Sequence, residues 1–352
     1  MDPFVCDLPA YRVTFGAGSI ERLPDEVKRV GGSRAVVISM PTEARFAEDA
    51  SQRLGTLSAG VYAGVVSQHV PVEMLRDAKA HAARVGADCY VVIGGGSTVG
   101  VGKGLALETG LPIVAVPTTY AGSEMTPIYG LTEGGIKKTG KDRRVMPKSV
   151  IYDVNLTLSL PAHIAGPSGM NAMAHCVEAL YAEDANPIVS LLAEEGIRAL
   201  ARSLPTVVKE PSNLEARSDA QYGAWLGGTV LGAVGMSIHH KLCHTLGGTF
   251  NLPHAETHTV VLPHATAYNR DAAPAAMRRI AAALGAADAA EGIFDLIGRI
   301  GAPRALKDIG MPADGLDKAA DLALQNRYYN PRPLERAGIR ELLQRAYDGA
   351  KP

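Results

Sequence analysis

The stretch Gly235–Asn269 holds six of the chain's ten histidines: His239, His240, His244, His254, His258 and His264. The run from Leu231 to Leu242 carries apolar residues at spacings that a helix buries. Gly247-Gly248 is expected to end that helix. His240 and His244 stand four residues apart and so project from one helical face. Pro253 then opens a second helix, with His254 and His258 again four apart. Two histidine-bearing helix ends joined by a short glycine-rich turn make a compact imidazole cluster. Such a cluster can bind a divalent metal or supply a proton beside a substrate. One pair of this spacing often decorates a solvated helix face. Two pairs in an apolar context point to a site instead.

A second stretch has phosphate chemistry. The apolar run Cys89–Ile93 reads as a strand and leads straight into Gly94, Gly95, Gly96, Ser97 and Thr98, followed by a small-residue helix, Val99–Thr109. Three glycines let backbone amides approach an anion, and the next helix offers its free amides and positive end to a phosphate. Ser97 and Thr98 add hydroxyls. The pattern is neither GxGxxG nor a P-loop with its lysine, and a plain turn needs only one glycine. The expectation is a diphosphate, as a dinucleotide carries. Thr118, Thr119 and Ser123 follow the next strand, Leu111–Val116, and Ser39 closes the strand Arg34–Ser39; all four are assigned to the cofactor. After Ser39 come Met40, Pro41 and Thr42, none of them acidic. Discrimination against the 2′-phosphate is therefore expected to be weak, and both NADH and NADPH to serve.

These stretches need elements to position them. Val61–Val66 and Ser149–Asp153 read as further strands and Pro71–Val85 as a helix bearing Met74, Ala78, His81 and Val85 on one side. Alternation of this kind means a parallel, Rossmann-like sheet with helices on both faces. From Ser159 onward helical runs dominate: Gly169–Tyr181, Ile188–Leu200, Asp219–Gly232, the histidine helices, Pro274–Leu284, Ala289–Ile300 and Leu334–Tyr347, with Pro187, Pro205, Pro211, Gly301 and Pro303 between them. The expected organisation is an α/β dinucleotide-binding domain over 1–158 and an all-α domain over 159–352, with the active site in the cleft between them.

Composition narrows the class. A net charge of −1 gives no field for nucleic acid. No apolar run reaches the length of a membrane span, and the N-terminus does not read as a signal peptide. Cys6, Cys89, Cys176 and Cys243 are scattered without CxxC spacing, which suits reduced thiols in a cytoplasm. Cys243 reads as a small buried filler.

Asn171 and His175 are also four residues apart, and with His240 and His254 they make a four-point constellation. At this point the chain resembles the iron-containing (group III) alcohol dehydrogenase family. The matching features are Gly94–Ser97, Pro117–Thr119, Ser123-Glu124, Gly169-Met170 with His175, His240 with His244, Pro253-His254 and Leu262–His264. The resemblance covers nearly the whole chain. It implies an N-terminal dinucleotide-binding domain and a helical C-terminal domain, the architecture shared with dehydroquinate synthase-like enzymes, and a homodimer.

Metal-dependent members of that family place an aspartate where this chain has Asn171, with the other ligands corresponding to His175, His240 and His254. An amide cannot neutralise a dication, so metal affinity should fall by orders of magnitude and no metal is expected. This departure, with the run His239–His258 and the late Tyr328–Pro333, closely resembles the maleylacetate reductases of the family. These reduce the carbon–carbon double bond of maleylacetate to give 3-oxoadipate during bacterial breakdown of aromatic compounds. The resemblance makes His244 the leading acid, with His175, His240 and His254 polarising the ketone or holding a carboxylate. For the dicarboxylate substrate, Asn171, Lys241, Arg327, Tyr328 and Arg332 are candidates, Arg332 being held between two prolines. Lys138, with Lys137, resembles lysines near the cofactor. Glu178 and Glu256 are expected on a helix face or behind the first line of contacts. Competing readings are a metal-dependent alcohol or polyol dehydrogenase, a carbocycle-forming synthase and a non-catalytic dinucleotide-binding protein.

Overall fold

The computed structural model describes residues 4–8, 11–64, 72–133, 136–325 and 328–352. The chain divides into two compact units, Leu8–Leu160 and Pro161–Pro352, the second joined by residues 4–7.

The first unit is built on β1 (Arg12–Phe15), β2 (Ala35–Ile38), β3 (Ser58–Tyr62), β4 (Cys89–Gly94), β5 (Ile113–Pro117) and β8 (Ser149–Tyr152). They form one six-stranded sheet in the order β1-β8-β5-β4-β2-β3, with every pairing parallel. β2, β4, β5 and β8 are buried along their whole length, which is why they read as unbroken apolar runs without alternation. The helices are α1 (Leu23–Arg29), α2 (Ala44–Leu54), α3 (Val72–Arg84) and α4 (Gly96–Thr109). One core joins Leu23, Val27, Ala47, Ala50 and Leu54 of α1 and α2 to Val37, Val91, Ile93, Val114 and Ile151 of the sheet. β3 begins three residues before its expected start, and 65–66 lie outside the described residues. The buried side of α3 is Met74, Leu75, Ala78 and Ala82 rather than the side bearing His81 and Val85.

A two-stranded antiparallel ribbon, β6 (Ile128–Glu133) with β7 (Ile136–Lys141), has no counterpart in the sequence reading. Lys103 of α4 anchors its entry. This fully buried ammonium donates to the Ser123 and Ile128 carbonyls at 2.6 and 2.7 Å and to Thr126 Oγ1 at 3.0 Å. Burial pushes its pKa down to about 7, with Glu124 opposing. Glu124 is itself buried and accepts from the Tyr152 hydroxyl at 2.8 Å.

The second unit is helical among the described residues: α5 (Ala162–Ala179), α6 (Pro187–Lys209), α7 (Leu214–Ala233), α8 (Ile238–Phe250), α9 (His254–Tyr268), α10 (Pro274–Leu284), α11 (Ala289–Arg299), α12 (Leu316–Ala323) and α13 (Arg336–Asp348). Two expectations fail here. Leu231–Leu242 is not one helix: α7 stops at Ala233 and α8 starts at Ile238. Gly247-Gly248 does not end α8 but lies within it, and Asn251 ends it with a left-handed φ of 54°. The interior glycines cost roughly 1 kcal/mol each against alanine. Ile238, Leu242 and Leu246 outweigh that by packing against Val260, Val261, Ala319 and Leu343. Pro205 also misleads as a separator: α6 continues through it, as α5 and α9 continue through Pro167 and Pro263.

Candidate active site

The helical unit gathers the histidines around the N-terminus of α8. That terminus is fixed from a distance. Glu178, near the end of α5 and fully buried, accepts the backbone N–H groups of Ser237 at 3.1 Å, His239 at 2.8 Å and His240 at 3.3 Å. These are the donors that a helix start leaves without partners. A carboxylate there also meets the positive end of the helix. This long-range cap is what separates α7 from α8. Glu178 Oε2 lies 2.7 Å from His240 Nδ1 as well.

Around this anchor, rings crowd together. His240 lies 5.1 Å from His175, 5.1 Å from His239, 4.9 Å from His258 and 6.2 Å from His244, between ring centres. His258 is also 4.9 Å from His239 and 4.3 Å from His254. Thus His175 of α5, His240 and His244 of α8, and His254 and His258 of α9 come from the three helices that build one cluster, and buried Asn171 lies one turn before His175 on α5. His175, His239, His240 and His258 are buried, whereas His244 and His254 are exposed at its rim. His264, the sixth histidine of the stretch, faces Phe294 instead.

Burial sets the charge state. It drives His175, His240 and His258 well below the usual histidine range, neighbouring imidazoles adding to the effect, and holds His239 down to about 4. The buried rings are therefore neutral. Several polar atoms among them have no partner: Asn171 Oδ1, His175 Nδ1, His240 Nε2, both nitrogens of His258, and the Tyr328 hydroxyl. A ligand that fits this site must satisfy them.

His258 and Glu178 matter more than sequence reasoning allowed. His258 read as half of a helical pair, and its place among five rings depends on how α9 packs on α8. The signal for Glu178 was its position three residues after His175 on an apolar helix.

The carboxylate-binding candidates meet different fates. Tyr328 packs against the core beside α8, and its hydroxyl is pushed upward by burial first and Glu178 second, so it belongs to the cluster's surroundings. Lys241 donates to the Gln325 carbonyl at 2.8 Å and lies over the Tyr328 ring. Arg332 stacks on Tyr268, 4.2 Å from ring centre to guanidinium carbon. Arg327 lies outside the described residues.

In the α/β unit, Gly94 ends β4 with φ 151°, and α4 begins at Gly96. Gly95 caps α4 with no side-chain hydrogen bond. A methyl group on Gly94 would collide with Thr98 Oγ1 and approach Glu43 Oε2 to 2.7 Å. One on Gly95 would lie 3.0 Å from Thr119, and one on Gly96 3.3 Å from Ala121. The glycines, Ser97, Thr98, Thr118 and Thr119 thus meet at the carboxyl ends of β4 and β5. This cradle suits a diphosphate. The Ser39 and Thr98 hydroxyls are buried and have no hydrogen-bond partner. Ser123 lies on the segment held by Lys103. Lys138 sits opposite Leu131 in the β6–β7 ribbon, and its side chain lies outside the described residues.

One acid was overlooked. Glu43, the residue after Thr42, turns back through a single 3-10 turn and accepts the Thr118 hydroxyl at 2.5 Å. The strand end is therefore not without a carboxylate.

Comparison with known proteins decides the family. Residues 9–154 match the family description "iron-containing alcohol dehydrogenase", and residues 166–347 match "Fe-containing alcohol dehydrogenase family, C-terminal". The chain belongs to the iron-containing alcohol dehydrogenase family. Maleylacetate reductase of Burkholderia cepacia is 55% identical over the full length of both chains. The crystal structure of maleylacetate reductase from Agrobacterium tumefaciens superposes with a TM-score of 0.97 at 52% identity, over all of both chains. An iron-containing alcohol dehydrogenase from Corynebacterium glutamicum gives 0.94 at 44%, covering 99% of this chain and 98% of that one. This family member is an oxidoreductase, which removes the non-catalytic reading.

The family's iron meets a poor donor set here. Asn171, His175, His240 and His254 are all neutral donors. Glu178, the carboxylate bonded to His240, is committed to three backbone amides and that ring. Among the described residues, the one convergence of three metal-type donors is His239, His240 and His258, within 4.8 Å of one another. It leaves out His175 and His254, and His239 Nε2 is already 2.9 Å from the His258 carbonyl. Neither set supplies an anion to offset a divalent ion's charge in a buried site, which weakens its hold on the ion.

Proposed function

We propose that this oxidoreductase uses NADH or NADPH to reduce the carbon–carbon double bond of maleylacetate, giving 3-oxoadipate, and that it does so without a metal. The observation that carries this reading is the neutral histidine–asparagine cluster. It occurs in a chain 55% identical, end to end, to a maleylacetate reductase.

A double bond conjugated to a ketone asks for two services besides hydride. The enolate oxygen formed on the substrate needs hydrogen-bond donors, and the neighbouring carbon needs a proton. Neutral imidazoles, the Asn171 amide and the Tyr328 hydroxyl can supply the first. His244 is assigned the second: it is exposed at the rim of the cluster, where a proton can be replenished from water. The bound dinucleotide supplies the hydride. Its diphosphate is held by the Gly94–Thr98 turn, where glycines keep the approach to the α4 amides clear.

The partnerless lone pairs of Asn171, His175 and His240 also suit a metal-dependent alcohol dehydrogenase, the second reading. Product analysis separates the two. Incubation with maleylacetate and NADH should give 3-oxoadipate in a 1:1 ratio to NADH consumed, with no turnover of simple alcohols. Alcohol oxidation without 3-oxoadipate formation would favour the second reading.

A further inference from the structure

The hydrogen bonds around His240 determine more than its position. His239 Nε2 lies 2.9 Å from the His258 carbonyl oxygen, which can only accept. Neutral His239 therefore carries its proton on Nε2, and its Nδ1 is a lone pair. That lone pair lies 3.3 Å from His240 Nδ1. Two lone pairs at this distance would repel, so His240 Nδ1 must carry a proton. Glu178 leads to the same assignment independently. Burial raises the Glu178 pKa, opposed by His239 and by three backbone N–H groups. Two of these, from Ser237 and His240, point at Oε2 itself and hold that oxygen as an acceptor rather than a hydroxyl. Its Oε2, 2.7 Å from His240 Nδ1, then takes that proton's hydrogen bond.

The geometry points to Glu178 as the positioning residue that fixes His240 in its Nδ1–H form, so that His240 offers the site a lone pair and no proton. His240 Nε2 is the atom left over, buried and without a partner. The chain of bonds has a direction: the His258 carbonyl accepts from His239, and Glu178 accepts from His240, with the two rings meeting donor to acceptor. Reversing His240 would break two contacts at once and place a lone pair against a carboxylate.

A chemical consequence follows, and this part rests on the proposed reductase reading. A lone pair at His240 Nε2 repels both a ketone oxygen and a carboxylate. His240 therefore neither polarises the ketone nor grips an acid group. It accepts a hydrogen bond from a donor such as water, and the proton delivered to carbon comes from another ring.

The test starts with the wild-type protein and needs no substrate. Long-range nitrogen–proton NMR correlation on enzyme labelled with 15N-histidine distinguishes the two ring forms, and the His240 signals are assigned by their loss in His240→Gln. The expected spectrum shows a protonated Nδ1 and a bare Nε2 for His240, with the reverse for His239. A protonated Nε2 on His240 overturns the inference, and this result does not depend on whether any variant folds. In Glu178→Gln the amide donates to Nδ1, so His240 should switch form. Its kcat should fall by about 10- to 100-fold, the usual effect of removing such a partner, with the dinucleotide KM unchanged. A fall in kcat with an unswitched ring would reduce Glu178 to a helix cap and overturn its positioning role. The expected spectrum in a protein that does not reduce maleylacetate would sink the reductase reading and leave the ring assignment standing.

Discussion

The Thr118 hydroxyl donates to Glu43 Oε1 at 2.5 Å, drawing a carboxylate from the end of β2 across to the end of β5. The other oxygen, Glu43 Oε2, is buried without a partner beside Gly94. Burial raises the Glu43 pKa, opposed by the Thr118 bond. A negative charge next to a diphosphate cradle opposes the ligand. Glu43→Gln keeps a group for Thr118 and removes the charge. The KM for NADH and NADPH should both fall, by roughly 2- to 10-fold, the effect of about 1 kcal/mol. Steady-state kinetics checks this, and unchanged constants would place the carboxylate out of electrostatic reach.

Asn171→Asp restores the anion that a divalent ion lacks here. Affinity for Zn²⁺ or Fe²⁺ should rise by at least about tenfold, the effect of one favourable charge contact worth roughly 1.4 kcal/mol. Metal content after dialysis against equimolar ion is the readout. Equal metal content in both proteins would show that the amide is not what limits binding.

His244→Ala should lower kcat for maleylacetate by roughly 10²-fold or more, the usual worth of a positioned proton donor. The fold should be intact, since His244 is exposed and lies outside the packed core. Near-normal turnover would move the proton to another ring of the cluster.

Acid should unfold this protein through its buried histidines. Burial, with Arg345 adding, holds His264 down to about 4 from an ordinary 6.5. A group whose folded pKa is depressed binds its proton first in the unfolded chain. Stability is therefore full above about 6.5 and is lost as pH falls from there toward 4, by up to roughly 3 kcal/mol for such a shift. His175, His240 and His258 shift in the same direction. Calorimetry between pH 4 and 8 should show a Tm that rises with pH and levels off near 7. In His264→Leu the rise should be shallower. A Tm independent of pH over that range would contradict burial of neutral rings.

The strands and the glycine cradle were legible in the sequence because their signals are local. Cys89–Ile93 is an unbroken apolar run, and Gly94–Gly96 follows it at once. The meeting of His240 with His244 and of His254 with His258 was legible from four-residue spacing. What failed depended on distant partners. The break between α7 and α8 is made by Glu178, some sixty positions away in sequence. The passage of α8 through Gly247-Gly248 depends on packing against α9, α12 and α13, and the central place of His258 depends on α9. Glu43 escaped notice because a 3-10 turn, not the strand itself, returns it to the cradle. The stacking of Arg332 on Tyr268, 64 positions away, was not legible either.

The most direct measurement of the central claim is NADH oxidation with enzymatically generated maleylacetate before and after exhaustive chelation, with metal assayed on the same sample. Turnover undiminished at a metal content far below one ion per chain is the expected result. Activity that disappears on chelation and returns with iron or zinc would contradict a reduction carried out by neutral imidazoles alone.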